Sequence, residues 1–194
     1  MKETKLSPAE LMQRVYIFYP RHLSSSDNHY SQSPEWQKLK ALQEEKWKNR
    51  EGWLAMLKAL RSTFPGSWVV DETVPMRLPS YRCQLYPKEC SAYRLPQYQT
   101  VIGFVSYLAP VYTVCAFHSN QVGNHYQAEN LSSVFSKETI LYAYQLMDEI
   151  EKEFHYEFLP IEKALEKVPD VAVGNHLMGE AKLFHYLFDA HESL

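Results

Sequence analysis

The residues best equipped for chemistry lie near the end of the chain. His185 and Asp189 are four apart, so a helix would place them on one face, with His176 or His191 close enough in sequence to join them. Imidazole and carboxylate donors of that kind could hold an ion that activates water, the makings of a small metal-assisted hydrolase using His176, His185 and Asp189. No His-Glu-x-x-His and no Cys-x-x-Cys accompanies them, and surface histidines with a locally paired Asp189 account for the same residues. Gly174 and Gly179 have the spacing of a phosphate loop. Glu180 and Ala181 follow where that loop needs lysine and a hydroxyl, and a carboxylate aimed at phosphate repels it. No Gly-x-Ser-x-Gly elbow occurs. Cys115 stands among Val114, Ala116 and Phe117, the setting of a small buried hydrophobe rather than a nucleophile. The residues themselves therefore point to no catalysis and call for no cofactor.

The carboxylates are more informative as a surface than as acids and bases. Of the 20 Lys and Arg, 15 fall within residues 1–97 against 10 Asp and Glu, a net +5; residues 98–194 hold the other 5 against 13, a net −8. The overall −3 is thus a cancellation. Asp148, Glu149, Glu153 and Glu157 gather in the acidic half; Asp148 and Lys152 can pair at i, i+4, whereas Glu149 and Glu153 face each other as like charges near a helix C-terminus that disfavours anions. Such a cluster serves solubility, is compensated by the basic half within the fold, or meets a basic partner. Tyr81, Tyr86, Tyr93 and Tyr98, punctuated by Arg82 and Arg94, bring the residue types enriched at protein interfaces, though edge-strand packing would use them equally well. Lys38, Lys40, Lys46, Lys48 and Arg50 are interleaved with Glu44, Glu45 and Glu51, which with the acidic half opposes nucleic acid.

The elements that must position these groups can be read from the pattern. Ser7-Pro8-Ala9-Glu10 is a helix start, and predicts a helix from about Pro8 to Phe18. Ser33-Pro34-Glu35 opens a long helix in which Trp36, Leu39, Trp53, Leu57, Leu60 and Phe64 keep helical spacing, with a break plausible at Gly52. From Trp68 the period shortens to strands at Trp68–Val70, Tyr81–Tyr86, Thr100–Leu108 and Val111–His118, the last two forming a central hairpin around Ala109-Pro110. Pro75, Pro79, Pro87 and Pro96 favour edge strands and loops between the first strands and that hairpin, and residues 119–135 read as a polar connection. Ser136-Lys137-Glu138-Thr139 caps a further helix, running from Lys137 with Ile140, Ala143, Met147, Ile150 and Phe154 as its core face, and helices follow near Ile161–Lys167 and near Glu180–Ala190. Helices, then strands, then helices predict an α+β fold in one domain, an antiparallel sheet of about four strands flanked by N-terminal and C-terminal helices.

Three cysteines cannot all pair within one chain, the longest apolar run near the N-terminus, Val15–Tyr19, is shorter than a signal-peptide core, and Val101–Phe117 is interrupted by Gly103, Ser106, Pro110 and Thr113. A cytosolic protein without a membrane partner is expected.

The segments Val105-Ser106-Tyr107-Leu108-Ala109-Pro110-Val111-Tyr112-Thr113-Val114, Val168-Pro169-Asp170-Val171 and Ala181-Lys182-Leu183-Phe184-His185-Tyr186-Leu187-Phe188 resemble small cytosolic bacterial immunity proteins of polymorphic and contact-dependent toxin systems. The resemblance covers mostly the second half and carries over no functional residue. It implies a non-catalytic protein that binds a cognate toxin and occludes its active site, and the charge split makes that toxin a basic one. With the charge split, it makes Asp148, Glu149, Glu153, Glu157, Tyr81, Arg82, Tyr86 and Tyr93 the expected partner-binding residues.

Overall fold

A computed structural model describes residues 1–88, 97–122 and 125–190. The first helix, α1 (Pro8–Phe18), starts as its sequence dictates: Ser7 Oγ accepts the Glu10 N–H at 3.3 Å while Glu10 Oε2 accepts the Ser7 N–H at 2.8 Å. Ser33 Oγ likewise accepts the Trp36 N–H at 3.2 Å at the start of α2 (Pro34–Lys48). The expected long helix is two, because the chain leaves helical geometry at Asn49 and Arg50 before resuming as α3 (Glu51–Thr63). Gly52 lies inside α3, not at the break.

The sheet is larger than expected and mixed. Strands β1 (Trp68–Asp71), β2 (Ser80–Tyr86), β3 (Gln97–Ser106), β4 (Val111–Val122) and β5 (His125–Ser132) form an antiparallel meander in that order. A sixth strand, β6 (Glu157–Phe158), pairs in parallel with Val111 and Tyr112 of β4. Two expectations fail for identifiable reasons. The prolines expected to push the second strand to an edge flank it instead, Pro75 and Pro79 before β2 and Pro87 after it, so β2 pairs on both sides. The polar connection at 119–135 contains β5, which pairs on one side only and so does not require the continuous apolar run of a central strand. The hairpin around Ala109-Pro110 is as read, with Ile102 opposite Cys115 and Phe104 opposite Thr113.

Alternation along the strands sends the two sheet faces to different partners. One face, with Tyr81, Cys83, Gly103 and Val114, carries α3 and α4 (Ile140–Phe154); Leu146 of α4 rests on Gly103 and Trp53 of α3 stacks on Tyr81 at 5.0 Å. The opposite face carries α6 (Leu183–Leu187), whose Phe184 meets Phe104 edge to face at 5.2 Å. Behind α6 lies α1, with Tyr19 against Tyr186 at 5.1 Å. All five α6 residues are buried, so this segment is held by tertiary packing; it is shorter than the helix expected over Glu180–Ala190, as is α5 (Ile161–Ala164). Cys83 and Cys115 are both fully buried, and burial pushes the Cys83 thiol well above its ordinary range.

The first residues are part of the sheet. Lys2 C=O accepts the Phe158 N–H and Thr4 N–H donates to Phe158 C=O, both at 2.8 Å, so residues 2–4 run alongside β6. Among the described residues no helix is long and apolar enough to cross a membrane.

Candidate functional site

The acidic residues singled out above are distributed around α4 by its helical period, and their surroundings differ. Ala143, Leu146, Met147 and Ile150 face the sheet and are buried. The flank toward α3 carries Tyr142, stacked on Phe64 at 4.3 Å, and Gln145, whose amide donates to Glu149 at 3.2 Å. Glu149 is only 14% exposed and lies 3.7 Å from the Lys152 ammonium, so Lys152 pairs at i, i+3 with Glu149 rather than with Asp148. Glu153 is exposed and lies against Gly52 of α3. The outward stripe of α4 is Leu141, Tyr144, Asp148 and Lys152, all exposed.

Glu157 does not belong to this surface. It takes the Lys2 ammonium at 2.5 Å and the Lys5 N–H at 3.2 Å, and the Lys2 bond followed by that N–H holds its carboxyl below the ordinary range. Its neighbour Glu151, which is not among the expected partner-binding residues, closes the same clasp. It accepts Tyr112 Oη at 2.6 Å and the Lys2 N–H at 3.0 Å, and faces the Met1 ammonium at 3.5 Å. Burial works against ionisation there, but these donors outweigh it and keep Glu151 below the usual carboxylate range. Arg21 bonded to Asp170 and Arg82 bonded to Asp189 join the two halves of the chain in the same way. Much of the charge asymmetry is therefore settled inside the fold.

The expected tyrosine and arginine surface is not one surface. Tyr81 is 3% exposed; its hydroxyl donates to the Lys46 carbonyl at 2.6 Å, and burial pushes its pKa up to about 12. It is a core residue, because position 81 points toward α3 and α4 where position 82 points the other way. Arg82 lies on the opposite sheet face, held by Glu72 at 3.0 Å and Asp189 at 2.7 Å with its guanidinium 5.5 Å above the Phe104 ring. Gln84, once its amide is oriented to satisfy its neighbours, bridges Glu72 and Thr100 in the same layer. Tyr86 is half-buried at the end of β2, and Tyr93 lies outside the described residues.

Of the hydrolase trio, two members meet. The His176 and His185 rings stack at 4.0 Å with 17° between planes. A ligating imidazole offers its lone pair in the ring plane at about 2.0–2.1 Å from the ion, and stacked rings direct those pairs side by side instead of toward one point. His185 Nδ1 already accepts the Lys182 N–H at 3.0 Å, and Asp189 is turned to Arg82. Among the described residues no group of three His, Cys, Asp or Glu side chains could hold an ion.

What the structure assembles instead is a groove beside α4. β6 pairs with β4 at Val111 and Tyr112 and β5 pairs with it from Ala116 onward, which leaves a gap between β6 and β5 along that side of β4. Over this gap lies a groove of about 320 Å³, floored by Val114 and walled by Phe135, Ala143, Tyr144, Met147, Phe158 and Ile161. Glu162 stands at its rim, held at 3.0 Å by the Ser133 hydroxyl. Large apolar side chains stand exposed around it: Val134 at 70%, Leu141 at 69% and Tyr144 at 54%. Leu141 and Tyr144 were legible as apolar residues three apart and off the core series; Phe135, Ile161 and Glu162 come from separate segments, and only the fold gathers them. No protein-family model, curated protein or solved structure matches the chain.

Proposed function

We propose that this chain is an immunity-type binding protein that neutralises a cognate, basic bacterial toxin by covering its active site, with the outer face of α4 as the docking surface. The observation that carries this reading is an apolar groove, lined by Tyr144 and Glu162, with exposed apolar and acidic side chains on the elements that form it. Leu141, Tyr144 and Val134 stand out of the surface beside Asp148 and Glu162. Exposed apolar residues beside an apolar groove and charged groups mark a protein-binding face more often than an enzyme cleft. Carboxylates beside them would steer a basic partner and fix its register, while the apolar groups would hold it. Asp148 and Glu153 are the carboxylates of α4 left exposed for this surface; Glu149, Glu157, Tyr81 and Arg82 are each engaged within the fold.

Co-expression with a toxin domain encoded by a neighbouring gene tests the reading. The intact protein should restore growth. The double variant Asp148→Lys, Glu153→Lys should bind that domain about tenfold or more weakly at low salt, with the gap narrowing as salt is raised. Affinity unchanged at every salt concentration would place the docking surface elsewhere, and absence of any binding would remove the immunity function.

A further inference from the structure

We infer that the groove between α4, α5 and the end of β5 receives one apolar side chain, leucine-sized or larger, from a partner segment that carries Lys or Arg on either side of it. This rests on the binding function proposed above and names what that surface grips. The floor, Val114, and the walls Phe135, Met147 and Ile161 offer no charge and little hydrogen bonding, so a polar or ionised side chain would lose its hydration there without compensation. A volume of about 320 Å³ is at the lower end of ligand pockets, which suits a side chain or a short turn of peptide rather than a large cofactor. The charge of the rim sets the flanking residues. Among the described residues Glu162 is the one charged side chain in the lining, and Asp148 stands exposed one helical turn beyond Tyr144. A carboxylate on the rim of an apolar groove and another exposed on the helix that walls it favour a cationic segment and repel an acidic one. An anchor in a dry, walled cavity with charges outside it is also the arrangement in which few residues supply most of the binding energy.

The test uses the full chain labelled at Met and Ile methyl groups, titrated with the peptide acetyl-Lys-Lys-Leu-Lys-Lys-amide. Methyl resonances of Met147 and Ile161 should move on addition of the peptide, and should move less with the analogue carrying Ala in place of Leu and with the analogue carrying Glu in place of Lys. Ser133→Trp, a change at an exposed position on the rim, should fill the groove, abolish these shifts and weaken binding of the co-encoded toxin by about 30-fold. Equal shifts with the Leu and Ala peptides, equal shifts with the Lys and Glu peptides, or silence at millimolar concentration would each overturn the anchor. Shifts that follow protein concentration alone would overturn it too, in favour of a second copy. A toxin that binds Ser133→Trp normally sinks the anchor while the immunity function stands; a groove that takes the peptide while no toxin binds does the reverse.

Discussion

Two glycines show how the same atom added in two places gives opposite outcomes. At Gly103 on β3 a Cβ would come within 2.7 Å of Leu146 Cδ2, and Leu146 is fully buried between helix and sheet with nowhere to go. At Gly52 on α3 the Cβ would meet Glu153 Oε1 at 2.5 Å, but that is the end of a flexible, exposed side chain that can swing into solvent. Gly103→Ala should therefore destabilise by about 2 kcal/mol through overpacking. Gly52→Ala should be neutral or stabilising by up to about 1 kcal/mol, since alanine favours the helix. Urea denaturation of the two variants checks the sign of each, and a destabilised Gly52→Ala would mean that Glu153 is held in place. Neither outcome could be read from sequence. Gly52 was noticed for its helix cost, and its actual role as the place where α3 lets a side chain of α4 approach depends on a residue 101 positions away.

At the scale of elements, the open side of β1 is the most exposed liability. Trp68 is half-exposed and Val70 and Val74 are exposed as well, and among the described residues the strand pairs on one side, with β2. Arg61 of α3 blunts that edge, its guanidinium donating through Nε and Nη2 to the Val69 carbonyl at 3.2 and 3.0 Å. A charged side chain laid across an edge strand is a recognised defence against pairing with another sheet. Arg61→Ala should leave the helix intact and make self-association concentration-dependent, seen as a rising mass by light scattering; a variant that stays monodisperse at high concentration would show the edge protected by other means. The helix starts at Ser7 and Ser33 and the β3–β4 hairpin were legible because each is announced by neighbouring residues. The positions of β2 and β5 were not, because whether a strand is central or at an edge depends on what lies next to it in space. β6 is two residues long, too short to carry any periodic signal.

Across the whole molecule, the acidic second half is tied to the basic first half by ion pairs at Lys2–Glu157, Arg21–Asp170 and Arg82–Asp189, and by the donors gathered on Glu151. Glu151, Glu157 and Asp170 all have carboxyls held below their ordinary values of 4.5, 4.5 and 3.8. Groups depressed by folding contribute stability that is fully present above the unfolded value and is lost as pH falls through the folded one. Thermal stability should therefore decline from about pH 4.5 downward, with little change between pH 6 and 7 from these groups. Glu151→Gln should cost about 2 kcal/mol near neutrality. The gap to the parent should close in acid; a constant gap from pH 7 to pH 3 would assign the loss to packing. The charge split was legible as arithmetic, but the sequence could not say which carboxylates it leaves for a partner. Glu157 is consumed by the fold and Asp148 is not, although both lie in the same acidic stretch.

The clasp of residues 2–4 on β6 also sets an order of events. Phe158 bonds on one side to Lys2 and Thr4 while its neighbours bond to β4, so the first residues of the chain have no strand to join until the sheet and α4 are built. Bringing those ends together closes a loop of more than 150 residues, an entropic cost of about 4 kcal/mol for a flexible chain that shrinks once the intervening sheet has formed. Residues 2–4 are thus among the last to reach their place. Until then the end of the sheet beneath the clasp, with Tyr112 and Glu151, waits uncovered.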